Sequence, residues 1–176
     1  MGFLVKLTKH WFHQYLLEYY SKNKSLGLDI GCGQRNYHSN YKCNYIGIDL
    51  PTYYNVKLKP EICAEASFLP FQDNTFDLLV SYAVLPMVKN IDRALGEMHR
   101  VLRPKGCAII IIMNLRGLAL QPQTVFHNRY NSKKLINKLK EHKFKSIMWR
   151  NPKALLWSTW FDRTSVYAYA VATPIK

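Results

Sequence analysis

The pattern of apolar and polar positions predicts helices and strands in alternation along the chain. Residues 6–20 place large apolar side chains, Tyr15 and Tyr19 among them, at helical spacing, with polar residues such as His13 between them. This pattern predicts an amphipathic helix on the edge of the core. Residues 91–102 and 132–143 also have one apolar face each, and Pro104 follows the first of them. We expect these segments to be helices that cover a sheet.

Several short apolar segments predict the strands of that sheet. Residues 107–113 have no polar side chain, which is typical of a central strand in a parallel sheet covered by helices on both sides. Residues 165–173 alternate in side-chain size and are expected to close the sheet as a hairpin with residues around 145–149. This order predicts the α/β class, here a Rossmann-like three-layer sandwich with a mostly parallel sheet of about seven strands and an antiparallel last strand. The other predicted strands cover residues 25–30, 44–49, 61–65 and 76–82.

Length and composition indicate one domain. The 176 residues, 48 % of them apolar, contain no repeat or Gly/Ser linker, so a single domain over 1–176 is expected, with 1–24 as an N-terminal helix packing on it. No apolar run reaches the ~18–20 residues that span a bilayer, and the start of the chain lacks a signal-peptide pattern. The four cysteines form no C-x-x-C pair, which argues against a zinc site or a disulfide framework and favours a cytoplasmic location.

The formal net charge of +14 is concentrated in the second half of the chain. Residues 1–98 carry ten Lys and Arg against nine Asp and Glu, whereas residues 99–176 carry fifteen against two. Such an asymmetry suggests an anionic partner: nucleic acid, acidic lipid headgroups or a phosphorylated substrate. A solvated lysine-rich surface explains the same numbers, so both interpretations stay open.

Two glycines and a carboxylate at the strand ends point to a nucleotide-type cofactor, because such sheets bind ligands beyond the carboxyl ends of their strands. Gly31 and Gly33 follow the first predicted strand and allow a tight turn, and Asp49 ends the second strand, where it can accept both hydroxyls of a ribose. A dinucleotide fingerprint would need a third glycine where the chain has Asn36. The acidic Asp29 before the turn suits a sulfonium and an amino group better than a pyrophosphate. These residues therefore favour S-adenosylmethionine over a nicotinamide dinucleotide.

Four segments in sequence order also carry a resemblance to a known family. They are residues 28–33 (LDIGCG), 46–49 (IGID), 65–77 (EASFLPFQDNTFD) and 97–106 (EMHRVLRPKG). Together they resemble the class I S-adenosylmethionine-dependent methyltransferases, in particular the branch often labelled type 11, over roughly residues 26–114. A match of four motifs in register is specific, whereas a different doubly wound family could match one or two.

The resemblance implies a set of cofactor-binding residues. The turn after the first strand would line the methionine and ribose, Asp49 would hold the ribose diol, and Glu65 with Ala66 would lie at the adenine edge. Ser81 and Tyr82, at the end of the fourth strand, would border the sulfonium. The implied residues are Asp29, Gly31, Cys32, Gly33, Asp49, Glu65, Ala66 and Ser81.

The acceptor side departs from the pattern of the family. Where members commonly have Leu-Glu-His after the fourth strand, this chain has Leu85-Pro86-Met87, so no carboxylate or imidazole is present there. The usual Pro-Gly-Gly turn is Pro104-Lys105-Gly106, a change expected to be tolerated. Tyr82 and His127 are candidates for a base by position, and no catalytic residue is assigned.

The resemblance implies an enzyme that transfers a methyl group from S-adenosylmethionine to an O or N atom of a small-molecule or glycan-type acceptor, without stable membrane anchoring. The glycan class rests on a loose similarity of residues 35–37 and 45–49 to small methyltransferases of glycan and envelope biosynthesis. Two alternatives stay open. One is an RNA-directed methyltransferase that uses the basic C-terminal half, and the other is a non-catalytic S-adenosylmethionine-binding protein, which Pro86-Met87 makes conceivable.

Overall fold

A computed structural model describes residues 2–33, 37–51, 59–113, 126–148 and 167–176. This part of the chain forms three α-helices and seven β-strands. None of the helices in these ranges is long and apolar enough to cross a membrane. The helices are α1 (Gly2–Ser21), α2 (Ile91–Val101) and α3 (Ser132–Glu141), and the strands are β1 (Leu26–Ile30), β2 (Asn44–Asp49), β3 (Ile62–Cys63), β4 (Phe76–Tyr82), β5 (Leu102–Met113), β6 (Phe144–Met148) and β7 (Tyr167–Pro174).

The seven strands lie in one sheet with the order β3-β2-β1-β4-β5-β7-β6. Strands β1 to β5 run parallel, while β7 pairs antiparallel with both β5 and β6. From β1 the order runs outward through β2 and β3 on one side and through β4 and β5 on the other. The carboxyl ends of β1 and β4 therefore flank the switch point at which open α/β sheets bind ligands. The predicted mostly parallel sheet with an antiparallel last strand is confirmed.

Helices cover both faces of the sheet, and each face has its own core. On one face, α2 and α3 contribute buried residues such as Leu95 and Leu139 to a core shared with Leu79 of β4. On the other face, α1 contributes Leu16 to a second core that includes Leu78. Adjacent residues of β4 thus point to opposite layers, as the pleat requires. Burial of a leucine side chain contributes about 1.5–3 kcal/mol, so apolar contacts hold α1 against the sheet.

The orientation of α1 differs from the predicted one at a polar residue. His13 is 1 % exposed and lies on the side of the helix that faces the sheet. Tyr15 and Tyr19, which were predicted to belong to the apolar face, are 37 % and 59 % exposed and stack on each other. The prediction for these three side chains was wrong, because His13 shares its helical face with Leu16 and Leu17, three and four positions further on.

Strand β5 begins earlier than the apolar pattern predicts. Helix α2 ends at Val101, and β5 pairs with β4 from Leu102 onward, but the pairing shifts register before Cys107 resumes it. Arg103, Pro104 and Lys105 between them are exposed, and Lys105 has φ +65°. They bulge out of the ladder, so their polar side chains gave no strand signal.

The other element bounds agree with the sequence analysis or deviate at the ends. The predicted bounds of β2 and β4 are confirmed, whereas β3 is reduced to Ile62–Cys63. Helix α3 ends at Glu141, two residues early, and Lys143 has the left-handed φ of +59°. The predicted hairpin is formed by β6 and β7, and residues 165–166 of the predicted last strand lie outside the described residues.

A charged clamp fixes the loop that leads into β4. The Arg100 guanidinium donates to both carboxylate oxygens of Glu97 at 2.7 and 2.9 Å. It also donates to the carbonyl oxygens of Leu69 at 3.0 Å and Phe71 at 2.7 Å, and to Oδ1 of Asp73 at 2.8 Å. Glu97 accepts in turn from the backbone N–H of Leu69 at 2.8 Å. The segment that follows Glu65 and Ala66 is therefore tied to α2 from several sides.

Candidate functional site

The turn after β1 lies against the end of β2. The backbone N–H groups of Gly31 and Cys32 donate to the carbonyl oxygen of Ile48 at 2.8 and 3.1 Å. Gly31 and Gly33 have φ values of +72° and +53°, which glycine adopts without the steric cost that other residues incur. The two glycines therefore form a tight turn at the switch point of the sheet.

The two glycines of this turn have different surroundings. A Cβ atom on Gly31 would lie 2.1 Å from Cγ2 of Val84, so the segment after β4 approaches the turn too closely for any side chain. Among the residues that the structure describes, a Cβ atom on Gly33 would meet nothing within 4 Å. Gly31 thus allows close packing inside the protein, whereas Gly33 borders open space that a ligand can fill.

The Asp49 carboxylate joins the turns after β1 and β2. Its Oδ2 accepts from the backbone N–H of Gly33, and its Oδ1 accepts from the backbone N–H of Leu50, both at 2.7 Å. Each carboxylate oxygen can accept two hydrogen bonds, so both oxygens can accept one more beyond these bonds. The carboxylate is held in place beside open space and can bind a pair of hydroxyl groups there.

Asp29 lies on the buried side of the site next to Tyr41. The Tyr41 hydroxyl is buried and faces the Asp29 carboxylate, although within the described residues it makes no hydrogen bond of regular geometry. Burial first, and the Asp29 carboxylate second, raise the pKa of Tyr41 well above its ordinary value. Tyr41 therefore stays a neutral phenol beside the Asp29 carboxylate. The sequence analysis named Asp29 but missed Tyr41.

The remaining predicted cofactor-binding residues differ in what they can present to a ligand. Glu65 is exposed, whereas the Ala66 side chain is buried in the core, so Ala66 can offer a ligand its backbone. The Cys32 side chain packs on β2, since a Cβ atom on Gly47 would lie 2.9 Å from its sulfur. Ser81 is fully buried, and its Oγ has no hydrogen-bond partner in the part of the chain that the structure describes.

The segment after β4 is held by hydrogen bonds from His127 and Asn128. Ala83 has φ +59°, a conformation that costs a non-glycine residue of order 1–3 kcal/mol. The backbone N–H groups of His127 and Asn128 donate to the carbonyl oxygen of Pro86 at 2.9 and 3.0 Å. The His127 imidazole is exposed, so a role for it as a base stays a prediction.

Three aromatic side chains meet at the end of β4. Nδ1 of His13 lies 3.2 Å from the hydroxyl of Tyr37, and the His13 ring meets the Tyr82 ring edge-on at 4.5 Å between centroids. The Tyr37 and Tyr82 rings also meet edge to face, at 5.8 Å. The sequence analysis named Tyr82 as a candidate base, but it assigned no such role to His13 or Tyr37. The available signal for His13 was its spacing to Leu16, which puts it on the apolar face of α1.

Other features named in the sequence analysis lie outside the described residues. These are Asn36 and residues 35, 149, 165 and 166.

The matches to known proteins point to one family. Residues 28–110 match the family model described as "Methyltransferase domain". An uncharacterised protein of Methanocaldococcus jannaschii is 36 % identical over 122 residues, which cover 67 % of this chain and 54 % of that protein. The mitochondrial arginine hydroxylase NDUFAF5 of Mus musculus is 37 % identical over 98 residues, or 46 % of this chain and 26 % of that protein. The chain thus spans about half the length of the first relative and about a quarter of the second.

Solved structures show the same fold. The putative methyltransferase of Haloferax volcanii, determined in complex with the Trm112 methyltransferase activator, superposes with a TM-score of 0.74 over 96 % of this chain and 92 % of that one, at 14 % identity. The residues around the switch point also fit S-adenosylmethionine: open space beside Gly33, spare acceptor capacity on Asp49 and a buried, unpartnered Ser81 hydroxyl within the described residues. Over residues 28–110 the chain belongs to the methyltransferase family that the matching family model describes, and its fold is that of the class I S-adenosylmethionine-dependent methyltransferases.

Proposed function

We propose that the protein transfers a methyl group from S-adenosylmethionine to an O or N atom of a small-molecule or glycan-type acceptor. The observation that carries the cofactor site is the pairing of Gly33 with Asp49 at the carboxyl edge of the sheet. Open space borders Gly33, and the neighbouring carboxylate is oriented by two backbone N–H groups. This arrangement suits a ribose diol, for which no further rearrangement of Asp49 is needed.

The other predicted residues take roles that follow from their positions. Asp29, buried beside the neutral Tyr41, provides negative charge for the amino group of the methionine portion. Glu65 and the backbone of Ala66 border the adenine, and the Ser81 hydroxyl offers a hydrogen bond near the end of β4. When bound, S-adenosylmethionine supplies a methyl carbon whose bond to sulfur breaks with the electron pair staying on sulfur. The protein's main task is to hold the acceptor in line, a positioning effect that can contribute ~7–11 kcal/mol.

The polar side chains at the end of β4 favour an oxygen or nitrogen atom as the methyl acceptor. Oxygen and nitrogen acceptors with a bound hydrogen lose a proton on methylation, and polar groups that can receive it suit such acceptors. Tyr37 and Tyr82 lie at this end of β4, in contact with the imidazole of His13. The name of the relative NDUFAF5 describes an arginine hydroxylase and gives no methyl acceptor for this chain.

The uneven charge favours a second candidate, an RNA-directed methyltransferase. Lys133, Lys134 and Lys140 of α3 are exposed, and the only acidic residues after residue 98 are Glu141 and Asp162. An RNA-directed enzyme would bind mixed RNA with an affinity that falls steeply as salt rises from 50 to 200 mM. An acceptor of the proposed small-molecule class predicts weak RNA binding at about 0.15 M salt.

Calorimetric titration tests the cofactor assignment, which both candidate functions share. We expect S-adenosylmethionine and S-adenosylhomocysteine to bind with micromolar dissociation constants and NAD to give no heat. Methyl transfer from labelled S-adenosylmethionine to phenols, amines and sugars, followed by mass spectrometry of the product, then identifies the acceptor atom. Failure of S-adenosylhomocysteine to bind would contradict the proposed function, and a methyl group found on carbon would contradict the acceptor class.

A further inference from the structure

Helix α1 carries a buried imidazole to the carboxyl end of β4. The His13 side chain is 1 % exposed, and its Nδ1 lies 3.2 Å from the Tyr37 hydroxyl. The His13 ring packs edge-on against both tyrosine rings, at 5.7 Å from Tyr37 and 4.5 Å from Tyr82. These two edge-to-face contacts hold the imidazole in place, with Nδ1 directed at the Tyr37 hydroxyl.

The location of this cluster matters because both tyrosines adjoin the candidate cofactor site. Tyr82 is the last residue of β4, whose neighbour Ser81 pairs with Ile30 directly before the glycine turn. Tyr37 follows Gly33 by four residues and is half-buried, and its ring contacts the Tyr82 ring at the end of β4.

The segment after β4 lacks the groups that would otherwise serve as proton acceptors. The turn Leu85–Met87 has no titratable side chain, and the Met87 side chain is 45 % exposed. The His13 imidazole of α1 can accept the proton instead. Helix α1 packs on the opposite face of the sheet from Leu85.

We infer that Tyr37 and His13 form the proton-accepting pair of the reaction, an inference that rests on the proposed function. A phenol with an ordinary pKa of about 10 is a poor proton acceptor alone, whereas a neutral imidazole, of ordinary pKa about 6.5, accepts a proton near neutral pH. The acceptor atom forms its bond to the methyl carbon through a lone pair and releases its proton to the Tyr37 oxygen. The hydroxyl proton of Tyr37 passes at the same time to Nδ1 of His13. The resulting imidazolium returns its proton to solvent after the product leaves.

Tyr37 and His13 have different roles in this proton transfer. Tyr37 touches the acceptor and is the catalytic residue, while His13 is a positioning residue that acts through the Tyr37 hydroxyl. This order requires one tautomer of neutral His13, with Nδ1 free to accept and the hydrogen on Nε2. The reverse tautomer would make Nδ1 of His13 a donor to Tyr37, and Nδ1 could then not accept the hydroxyl proton.

The chain offers a matched control in a second histidine–tyrosine pair. Nδ1 of His38 lies 2.8 Å from the hydroxyl of Tyr45, with ring centroids 5.6 Å apart, and this pair is on the surface. Tyr37→Phe and Tyr45→Phe each remove one hydroxyl and leave the ring in place. His13→Phe keeps a planar ring in the cluster but removes both nitrogens.

Nitrogen-15 NMR of histidine-labelled protein tests the tautomer without any acceptor. We expect Nδ1 of His13 to be unprotonated and Nε2 protonated above neutral pH, and its Nδ1 signal to shift in Tyr37→Phe and on addition of S-adenosylhomocysteine. The His38 signals should respond to Tyr45→Phe but not to S-adenosylhomocysteine. A proton on Nδ1 of neutral His13, or a His13 signal that ignores bound S-adenosylhomocysteine, would overturn the inference.

Kinetics with the best acceptor among phenols, amines and sugars provide the second test. Tyr37→Phe and His13→Phe should lower kcat by ~10²-fold or more, as loss of a general base does, with the dissociation constant of S-adenosylhomocysteine changed less than about twofold. Tyr45→Phe should leave kcat unchanged. An unchanged kcat in Tyr37→Phe would overturn the pair, whereas loss of S-adenosylhomocysteine binding by the unmodified protein would contradict the proposed function itself.

Discussion

The backbone N–H of Gly33 donates a hydrogen bond of 2.7 Å to Oδ2 of Asp49, sixteen residues later in the chain. This bond connects the turn after β1 with the end of β2, so the two turns form one rigid corner. Because the other carboxylate oxygen accepts from Leu50, the carboxylate plane is fixed before any ligand arrives. Such an arrangement lowers the cost of ordering the site on binding.

Replacement of Asp49 by alanine tests whether this corner binds the ribose. Each hydrogen bond to a charged group contributes ~1.5–3 kcal/mol, so the loss of one or both ribose contacts should weaken S-adenosylhomocysteine binding by at least about tenfold. Calorimetric titration measures the change, and Asp92→Ala, a carboxylate of α2 paired with Lys138 and His142, is the control. Equal affinity in Asp49→Ala and the unmodified protein would place the ribose elsewhere.

A double-mutant cycle between Gly31 and Val84 tests the close approach of the segment after β4. Gly31→Ala should reduce the free energy of unfolding by about 2–5 kcal/mol, from the left-handed φ and from collision with Val84. Gly33→Ala, which meets no neighbour, should cost about 1–2 kcal/mol from its φ value alone. In a Val84→Ala variant, Gly31→Ala should reduce the free energy of unfolding by less than it does in the unmodified protein. Strictly additive effects in urea unfolding would contradict the predicted collision.

The local part of this site could be predicted from the sequence because it depends on neighbours in the chain. Gly31, Gly33 and Asp49 lie at strand ends that the apolar pattern already locates, and their conformations follow from the turn itself. That these residues bind the cofactor stays a prediction, which the hydrogen bond between Gly33 and Asp49 supports.

The contributions of His13, Tyr37 and Tyr41 could not be predicted in this way. They depend on how α1 and the residues before β2 pack on the sheet, and that packing is set by contacts between segments far apart in sequence. The bulge of β5 is a similar case, since exposed polar side chains around Lys105 carry no periodic signal although Leu102 already pairs with β4.

The clamp around Arg100 should be sensitive to the shape of its charged group. Arg100→Lys keeps the charge but cannot contact Glu97 with two nitrogens and also reach the carbonyl oxygens of Leu69 and Phe71. We expect a loss of about 1.5–3 kcal/mol in the free energy of unfolding, measured in urea. Arg103→Lys, at a more exposed ion pair with Asp77, should cost less than about 1 kcal/mol. Equal losses in the two variants would show that the clamp contributes no more than a surface pair.

Stability at acid pH should depend on Glu97. Hydrogen bonds from Arg100, the largest cause, hold the pKa of Glu97 below its ordinary value in the folded protein. Its stabilising contribution is therefore present above the pKa of the unfolded chain, about 4.3, and is lost as the pH falls through the lower folded pKa. The difference in free energy of unfolding between the unmodified protein and Glu97→Gln should shrink between about pH 5 and pH 3. A difference that stays constant over this interval would contradict the linkage.

Lys105 occupies a left-handed conformation in the bulge of β5, at φ +65°, where the resembled branch commonly has glycine. Two effects of Lys105→Gly oppose each other: relief of about 1–2 kcal/mol of backbone strain, and a gain of unfolded-state entropy that costs about 0.5–1 kcal/mol. The first is larger, so the variant should be more stable by roughly 0.5–1 kcal/mol. Lys140→Gly makes the same chemical change in α3, where no strain is relieved, and should destabilise the protein by about 1 kcal/mol. Urea unfolding of both variants checks the opposite signs, and destabilisation by Lys105→Gly would mean that the lysine side chain contributes contacts that outweigh the strain.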